Sequence, residues 1–169
     1  MILVHTIISG AQTGADRGAL LAARDLGLKR GGMAPAGWRS EDGEIPPEFR
    51  VGMMQSPSPA YPVRTRANVE ASGGTLILSI GPLRFDSGSM LTAQIARTVG
   101  KPVLHVMIDA SSVSRARIRD WLREHQIRTL NVAGPRETRE PGLQQAARVE
   151  LGFILYPIVR APDDAGFGG

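Results

Sequence analysis

Residues 6–16 read Thr6-Ile7-Ile8-Ser9-Gly10-Ala11-Gln12-Thr13-Gly14-Ala15-Asp16, an apolar strand followed by a Gly-rich polar turn and the start of a helix. The same order recurs in Thr75-Leu76-Ile77-Leu78-Ser79-Ile80-Gly81, which runs on to Ser87-Gly88-Ser89-Met90-Leu91-Thr92, and in Leu130-Asn131-Val132-Ala133-Gly134-Pro135-Arg136-Glu137. Parallel strands would bring all three turns to one edge of a sheet, where open α/β sheets bind ligands. Because a helix N-terminus offers free N–H groups, the pattern predicts an anion site.

The composition is that of a globular protein, with 42% hydrophobic and 21% charged residues. The 169 residues suffice for a single domain, which we expect at 1–160 with a flexible tail at 161–169. The sequence contains neither an apolar run long enough to span a membrane nor a recognisable signal peptide. With no Cys there is no disulfide, and these features together favour the cytoplasm.

The net charge is +4, and nearly all of the basic residues are Arg. They are scattered along the chain, and only 5% of the residues are aromatic and able to stack on bases. The expected partner is therefore an anionic small molecule, and not nucleic acid.

Apolar runs and helical periodicity alternate along the chain. Strands are predicted at Leu3–Ser9, Lys29–Trp38, Thr75–Ile80, Val103–Ile108 and Arg128–Val132. Helices are predicted at Gly14–Leu26, Tyr61–Ser72, Ser89–Val99, Ser112–His125 and Pro141–Leu155. The Pro-rich segment Arg39–Ala60 is interpreted as a long loop. This alternation predicts an α/β, Rossmann-like, doubly wound fold with a mostly parallel sheet and helices on both faces.

The first turn runs from Gly10 to Gly14, and both glycines allow the backbone to bend sharply beside a ligand. Gln12 and Thr13 add neutral hydrogen-bonding groups. The turn lacks the Lys of a P-loop. Asp16 follows in the first helical turn, either as a cap or as a catalytic carboxylate.

The second turn runs from Gly81 to Ser89. Ser87 or Ser89 is a candidate N-cap, and the amides around Gly88 are candidates for binding an anion, with Thr92 one helical turn further on. These residues predict a second anion-binding element.

The third turn runs from Gly134 to Thr138 and contains Arg136, whose guanidinium suits phosphate or carboxylate. The alternative is an ion pair between Arg136 and Glu137 or Glu140.

A polar stripe lies on the predicted second helix, where Arg64 and Asn68 are four residues apart and therefore share a face. Tyr61 and Thr65 belong to the same cluster. The stripe faces either a ligand or solvent.

A further polar cluster contains Arg39, Glu41 and Asp42. It has three open interpretations: contact with ribose hydroxyls, a divalent ion such as Mg²⁺ held by oxygen ligands, or a simple turn. The three His residues show no metal-ligand spacing, and no Gly-x-Ser-x-Gly or Gly-x-Gly-x-x-Gly motif is present. No metal site is predicted from His or Cys.

Five stretches in order resemble the putative molybdenum carrier family, which is related to the lonely-guy and DNA-processing Smf proteins. They are Ser9–Leu20, the Gly31 to Gly43 stretch with Pro35, Gly37, Arg39, Glu41 and Asp42, Tyr61-x-x-Arg64-Thr65-x-x-Asn68-Val69, Gly74–Ile77, and Leu130–Glu137. The resemblance spans about residues 6–155. It implies a Rossmann-like fold, a homo-oligomer, and a phosphate-bearing or nucleotide-type ligand, with molybdenum cofactor as one candidate.

Two functions follow from these patterns. The first is a carrier or binder that holds phosphate with the three turns and clamps it with Arg64 and Asn68. The second is a hydrolase of a nucleotide derivative, in which Asp16, Glu41 and Asp42 supply acid/base groups or metal ligands. The family usually has Gly-Gly-Thr where this chain has Ser87-Gly88-Ser89, and the lonely-guy motif Pro-Gly-Gly-x-Gly-Thr-x-x-Glu is missing.

Overall fold

The computed structural model describes residues 4–159, with side chains as far as residue 156. Within that part of the chain the strands are β1 (Thr6–Ile8), β2 (Lys29–Ala34), β3 (Arg39–Ser40), β4 (Gly43–Glu44), β5 (Met53–Gln55), β6 (Gly74–Ser79), β7 (Val103–Met107) and β8 (Thr129–Ala133). The helices are α1 (Ala15–Asp25), α2 (Tyr61–Ala71), α3 (Gly88–Thr98), α4 (Ser112–Glu124) and α5 (Leu143–Val159).

Six of the described strands form one parallel sheet in the order β5-β2-β1-β8-β6-β7. The chain crosses this sheet in one direction through α1 and α4, and in the opposite direction through α2 and α3. Because such crossovers are right-handed, the two pairs of helices cover opposite faces. Helix α5 packs against α1 and α4. The predicted α/β, doubly wound Rossmann-like fold is confirmed.

The strands β1, β8 and β6 are neighbours at the centre of the sheet, and each leads into one of the three turns. Asn131 of β8 lies between Ile8 of β1 and Thr75 of β6 in the register. Every residue of β6 is buried, as its continuous apolar sequence predicts for a strand covered on both faces. The sheet therefore brings the three turns together at its carboxyl edge.

The expectation of one long loop at Arg39–Ala60 is wrong. The segment contains the antiparallel hairpin β3–β4, a short helical turn at Pro47–Phe49, and β5, which pairs with β2. Ile45 and Phe49 are buried in a small core of their own. These strands have two or three residues each, too few for the alternation that indicates a strand in sequence.

The short strand expected within Lys29–Trp38 is β2, which ends at Ala34 because Pro35 follows and a short helical turn replaces the ladder. No helix of the described residues is long and apolar enough to cross a membrane. The expected tail at 161–169 lies outside the described residues, and the cytoplasmic location stays a prediction.

Candidate functional site

A small polar cavity of about 30 Å³, the inner pocket, lies where the three turns meet α2 and α3. Many of the sequence-predicted site residues line it: Gly10, Gln12, Asp16, Arg64, Thr65, Asn68, Ser89, Thr92, Gly134 and Arg136. A larger outer cleft of about 580 Å³ lies beside it, and Tyr61, Ser89, Gly134 and Arg136 line both. The sheet edge thus presents a small polar pocket next to a larger cleft of mixed character.

Arg64 on α2 carries the most unusual charge of the inner pocket. It is 4% exposed, and its Nε is buried without a hydrogen-bond partner among the described residues. The guanidinium makes no ion pair there and stacks on Tyr61, with Cζ 4.4 Å from the ring centroid. A buried cation without an acceptor is costly, which distinguishes Arg64 from the other side chains of the pocket.

Gly10 provides the space for that guanidinium. A Cβ at position 10 would lie 1.9 Å from Arg64 Nη1 and 3.0 Å from Asp16 Oδ2. The cation and the carboxyl therefore flank the same point above Gly10, although they form no ion pair.

Asp16 faces the inner pocket rather than capping α1. Its Oδ2 accepts a hydrogen bond from Gln12 N at 3.2 Å. Burial raises the pKa of Asp16 to about 6, although Arg64, the amides of Gln12 and Gly10, and Arg136 all act to lower it. Desolvation is the dominant effect because the side chain is 7% exposed.

The second turn leaves the N-terminus of α3 open towards the cleft. Ser87 is the N-cap, and its Oγ accepts from Met90 N at 3.1 Å. Ser89 is 4% exposed, and its hydroxyl has no partner among the described residues. Gly88 packs against the Tyr61 ring, since a Cβ there would lie 2.7 Å from Tyr61 Oη. The hydroxyl of Ser89 and the N-terminus of α3 thus line the same pocket.

Arg136 of the third turn is exposed, and the ion pairs considered for it do not form within the described chain. Glu137 instead accepts from Gly142 N and Gln144 N at 2.6 and 2.8 Å. Glu140 accepts from the amides of residues 80 and 81 at 2.6 and 3.1 Å. Both carboxylates are engaged, so the Arg136 guanidinium is available to the pocket.

Glycines allow the first and third turns to touch. A Cβ on Gly14, which has φ +81°, would lie 2.3 Å from the Pro135 carbonyl oxygen. That oxygen accepts from Ala15 N, the first amide of α1. The N-terminus of α1 therefore contacts the third turn, and Gly14 does not line either cavity.

Thr13 is held by protein partners outside both cavities. Its hydroxyl donates to Glu41 Oε1 and accepts from Glu137 N. Glu41 also accepts from Thr138 Oγ1 at 2.6 Å. Burial opposes ionisation of Glu41, but the hydrogen bonds from Thr13 and Thr138 outweigh it and lower the pKa.

Asp42 and Arg39 belong to the β3–β4 hairpin and lie outside both cavities. Asp42 receives two hydrogen bonds from Arg17, at 2.7 and 2.9 Å, and these with Ser40 lower its pKa to about 2. The Arg39 side chain is exposed, and its carbonyl accepts from Gln12 Nε2 at 3.0 Å. Of the three interpretations of this cluster, these contacts favour a turn, which Arg17 attaches to α1.

Several residues that line the inner pocket also hold the helices in place. Asn68 pairs with the backbone of Met33, accepting from its N at 2.7 Å and donating to its O at 3.1 Å. Thr65 and Thr92 each donate to a carbonyl four residues earlier. These contacts fix the walls around the unpartnered Arg64.

Sequence reasoning did not select Asn131, Arg139 or Glu140 as site residues. Asn131 lines the inner pocket and donates to Thr75 Oγ1 at 3.1 Å. Its polar amide within an otherwise apolar buried strand is the signal that would have identified it. Arg139 and Glu140 line the outer cleft. Among residues 4–159 no group of three or more His, Cys, Asp or Glu is placed to hold a metal ion.

Together the fold and the pocket define a Rossmann-like α/β protein with a polar, cation-lined depression at the carboxyl edge of its sheet. The chain belongs to the circularly permutated YpsA SLOG family, whose model matches residues 7–155. It is similar to a crystal structure described as a putative molybdenum carrier protein from Syntrophus aciditrophicus SB. The two share 38% identity with a TM-score of 0.83, over 91% of this chain and 96% of that chain. The suspected family is confirmed; no curated protein matches the chain.

Proposed function

We propose that this protein binds or carries an anionic, phosphate-bearing ligand of nucleotide-like size at the carboxyl edge of its sheet. The supporting observation is Arg64, a buried guanidinium that lines the inner pocket without a hydrogen-bond partner among the described residues. Ser89 adds a free hydroxyl, Arg136 a second cation, and α3 its open N-terminus.

The two cavities suggest where the two parts of such a ligand bind. The inner pocket, of about 30 Å³, suits a terminal oxyanion on Arg64. The outer cleft, of about 580 Å³, falls in the range of small-molecule sites and suits the body of the ligand. Arg139 adds positive charge there, Arg84 is paired with Asp86 at 3.8 Å, and Leu91 with Pro82 adds apolar surface.

The molybdenum carrier label of the structural neighbour makes molybdenum cofactor a specific candidate. Its phosphate would lie on Arg64 and Ser89, and its organic part in the outer cleft. Thr13, Glu41 and Asp42 would act from behind the site by holding the turns in place.

Titration calorimetry on purified, ligand-free protein tests the proposal with inorganic phosphate, molybdate, a nucleoside monophosphate and molybdenum cofactor. In the Arg64→Met variant we expect affinity for the phosphate-bearing ligands to fall about 10- to 100-fold. A hydrogen bond to a charged group is worth about 1.5–3 kcal/mol.

Arg66→Met is the matched control, because Arg66 lies on the same helix but is exposed and pairs with Glu70 at 2.8 Å. Its affinity should equal that of the wild type. Failure of every phosphate-bearing ligand to bind the wild type would contradict the proposal, as would equal losses in the two variants.

A nucleotide hydrolase is a second candidate, favoured by Asp16, whose raised pKa suits proton transfer near neutral pH. Product formation from nucleotide derivatives that is lost in Asp16→Asn but kept in Glu41→Gln and Asp42→Asn would support it. Absence of turnover across a nucleotide panel would leave the binding role alone.

A further inference from the structure

Asp16 presents a carboxyl group and Arg64 a guanidinium to the same small space. Both flank the point above Gly10, and both are nine-tenths or more buried. An oxyanion seated on the guanidinium would therefore lie beside the carboxyl group. An ionised Asp16 would repel it, whereas a protonated Asp16 could donate a hydrogen bond to it.

We propose that Asp16 binds the oxyanion of the ligand as a neutral carboxylic acid, so that the pocket takes up one proton with each anion. This inference rests on the proposed binding function and assigns Asp16 a binding role rather than a catalytic one. The proton comes from solvent and resides on the Asp16 carboxyl, from which it is shared with an oxygen of the ligand.

Burial favours the neutral form of Asp16, while the groups around it oppose that form in the ligand-free protein. Among the described residues, the charges that act on Asp16 are the guanidinium of Arg64 from α2 and that of Arg136 from the third turn. The neighbouring Arg17 is occupied by Asp42. An anion bound to Arg64 would offset the cation that most favours an ionised Asp16, while burial continues to oppose ionisation.

The proton requirement also defines the ligand chemistry. A group that is fully ionised near neutral pH, such as a sulfate, brings no proton, so Asp16 must take one from solvent. A phosphate monoester titrates in the same pH range and can bring the shared proton itself. Sulfate is therefore the clean probe, since its own charge does not change with pH in this range.

The experiment is calorimetry of sodium sulfate binding between about pH 5.5 and 8.5, in pairs of buffers with different ionisation enthalpies. We expect uptake of close to one proton per sulfate near pH 7, because the pKa of Asp16 in the ligand-free protein is about 6. Affinity should be level below about pH 6 and fall about tenfold per pH unit above it. Heat that persists in Arg64→Met is subtracted as binding elsewhere.

In the Asp16→Asn variant the amide can still donate but does not titrate. We expect its sulfate affinity to vary little with pH and to exceed that of the wild type at pH 8, with no proton uptake. The charge-matched control is Asp120→Asn, on the exposed face of α4, which should retain the wild-type profile.

The outcomes separate the two proposals. Sulfate that binds the wild type through Arg64 with a level pH profile and no proton uptake would overturn the role of Asp16 alone. Absence of Arg64-dependent sulfate binding at every pH would overturn both the role of Asp16 and the oxyanion site. The wild-type proton count decides the matter even if Asp16→Asn fails to fold.

Discussion

Gly10 lacks a side chain because Arg64 occupies the space where one would be. An added Cβ would lie 1.9 Å from Arg64 Nη1, a severe conflict with the end of a long side chain, and 3.0 Å from Asp16 Oδ2, a tight contact. No backbone atom is among its three nearest neighbours. The backbone at Gly10 is also not in the left-handed region. The glycine is therefore tied to the pocket more than to the turn.

We expect Gly10→Ala to displace the Arg64 guanidinium and to weaken phosphate binding by about 10-fold or more, at the scale of a lost charged hydrogen bond. Its free energy of unfolding should change by about 1 kcal/mol or less, since the arginine end can move. Calorimetry and urea unfolding measure the two effects. A variant that binds as tightly as the wild type would contradict this account.

The raised pKa of Asp16 has a consequence for stability. The pKa of Asp16 is near its ordinary value of 3.8 in the unfolded chain and about 6 in the folded protein. Between these values the folded protein holds a proton that the unfolded chain has lost. The stability of the ligand-free protein therefore falls through this contribution as the pH rises from about 4 to about 6, and stays lower above it.

Asp16→Asn should accordingly be more stable than the wild type at pH 7.5, by about 2–3 kcal/mol. The advantage should shrink towards zero at pH 4. Urea unfolding of both proteins at the two pH values measures it, and Asp120→Asn should show no such pH-dependent gain. A less stable Asp16→Asn at pH 7.5 would show that burial does not dominate at this carboxyl.

At the scale of elements, the β3–β4 hairpin shows what the sequence left open. From the sequence, Glu41 and Asp42 are candidate ligand or metal contacts because they are polar and adjacent. Their partners lie far away in sequence, on Arg17, Thr13 and Thr138. Whether a carboxylate faces a ligand or a distant arginine depends on which residues the tertiary structure brings beside it, and not on local composition.

Asp42→Asn should therefore weaken the attachment of the hairpin and leave the inner pocket intact. We expect a loss of about 1 kcal/mol in unfolding free energy, kept small because Asp42 is half exposed and solvent screens its charge. Phosphate affinity should remain within about twofold of the wild type, since the pocket side chains are untouched. A large loss of affinity would instead indicate a direct role for Asp42.

The depressed pKa of Asp42 adds a pH test of the same contact. Because its folded pKa of about 2 lies below the unfolded value, this stabilisation is present above about pH 4 and is lost as the pH falls towards 2. The wild type should therefore lose its advantage over Asp42→Asn in that acidic range.

At the scale of the whole molecule, β5 and β7 are the outer strands of the sheet among the described residues. The family resemblance implies a homo-oligomer, and the Met53-Met54 pair on β5 is a second reason to expect one. Met53 packs against the small core with Phe49, whereas Met54 is 64% exposed on β5. Homo-oligomerisation stays a prediction, and Met54 is the part of that pair left to support it.

Light scattering of the wild type should give a mass of at least two chains, each of 18.1 kDa. Met54→Lys should lower that mass, because a charge on the edge strand opposes association. Val113→Lys, at an exposed position on α4, is the control and should leave it unchanged. A wild-type mass of one chain at working concentration would contradict the prediction.

Outside the Arg39–Ala60 segment, the sequence by itself determined the element order, the parallel sheet and the three turns at its edge. These follow from local patterns: apolar runs, helical periodicity and glycines that stop or bend the chain. It also placed Arg64 and Asn68 on one helix face, since that spacing is local. The tertiary structure decided which polar residues face the pocket and which hold the turns in place. Arg64 has no hydrogen-bond partner among the described residues, while Thr13, Glu41 and Asp42 are engaged by residues far along the chain. Burial, which sets the pKa of Asp16, likewise depends on elements that are distant in sequence, so only the tertiary structure could assign these roles.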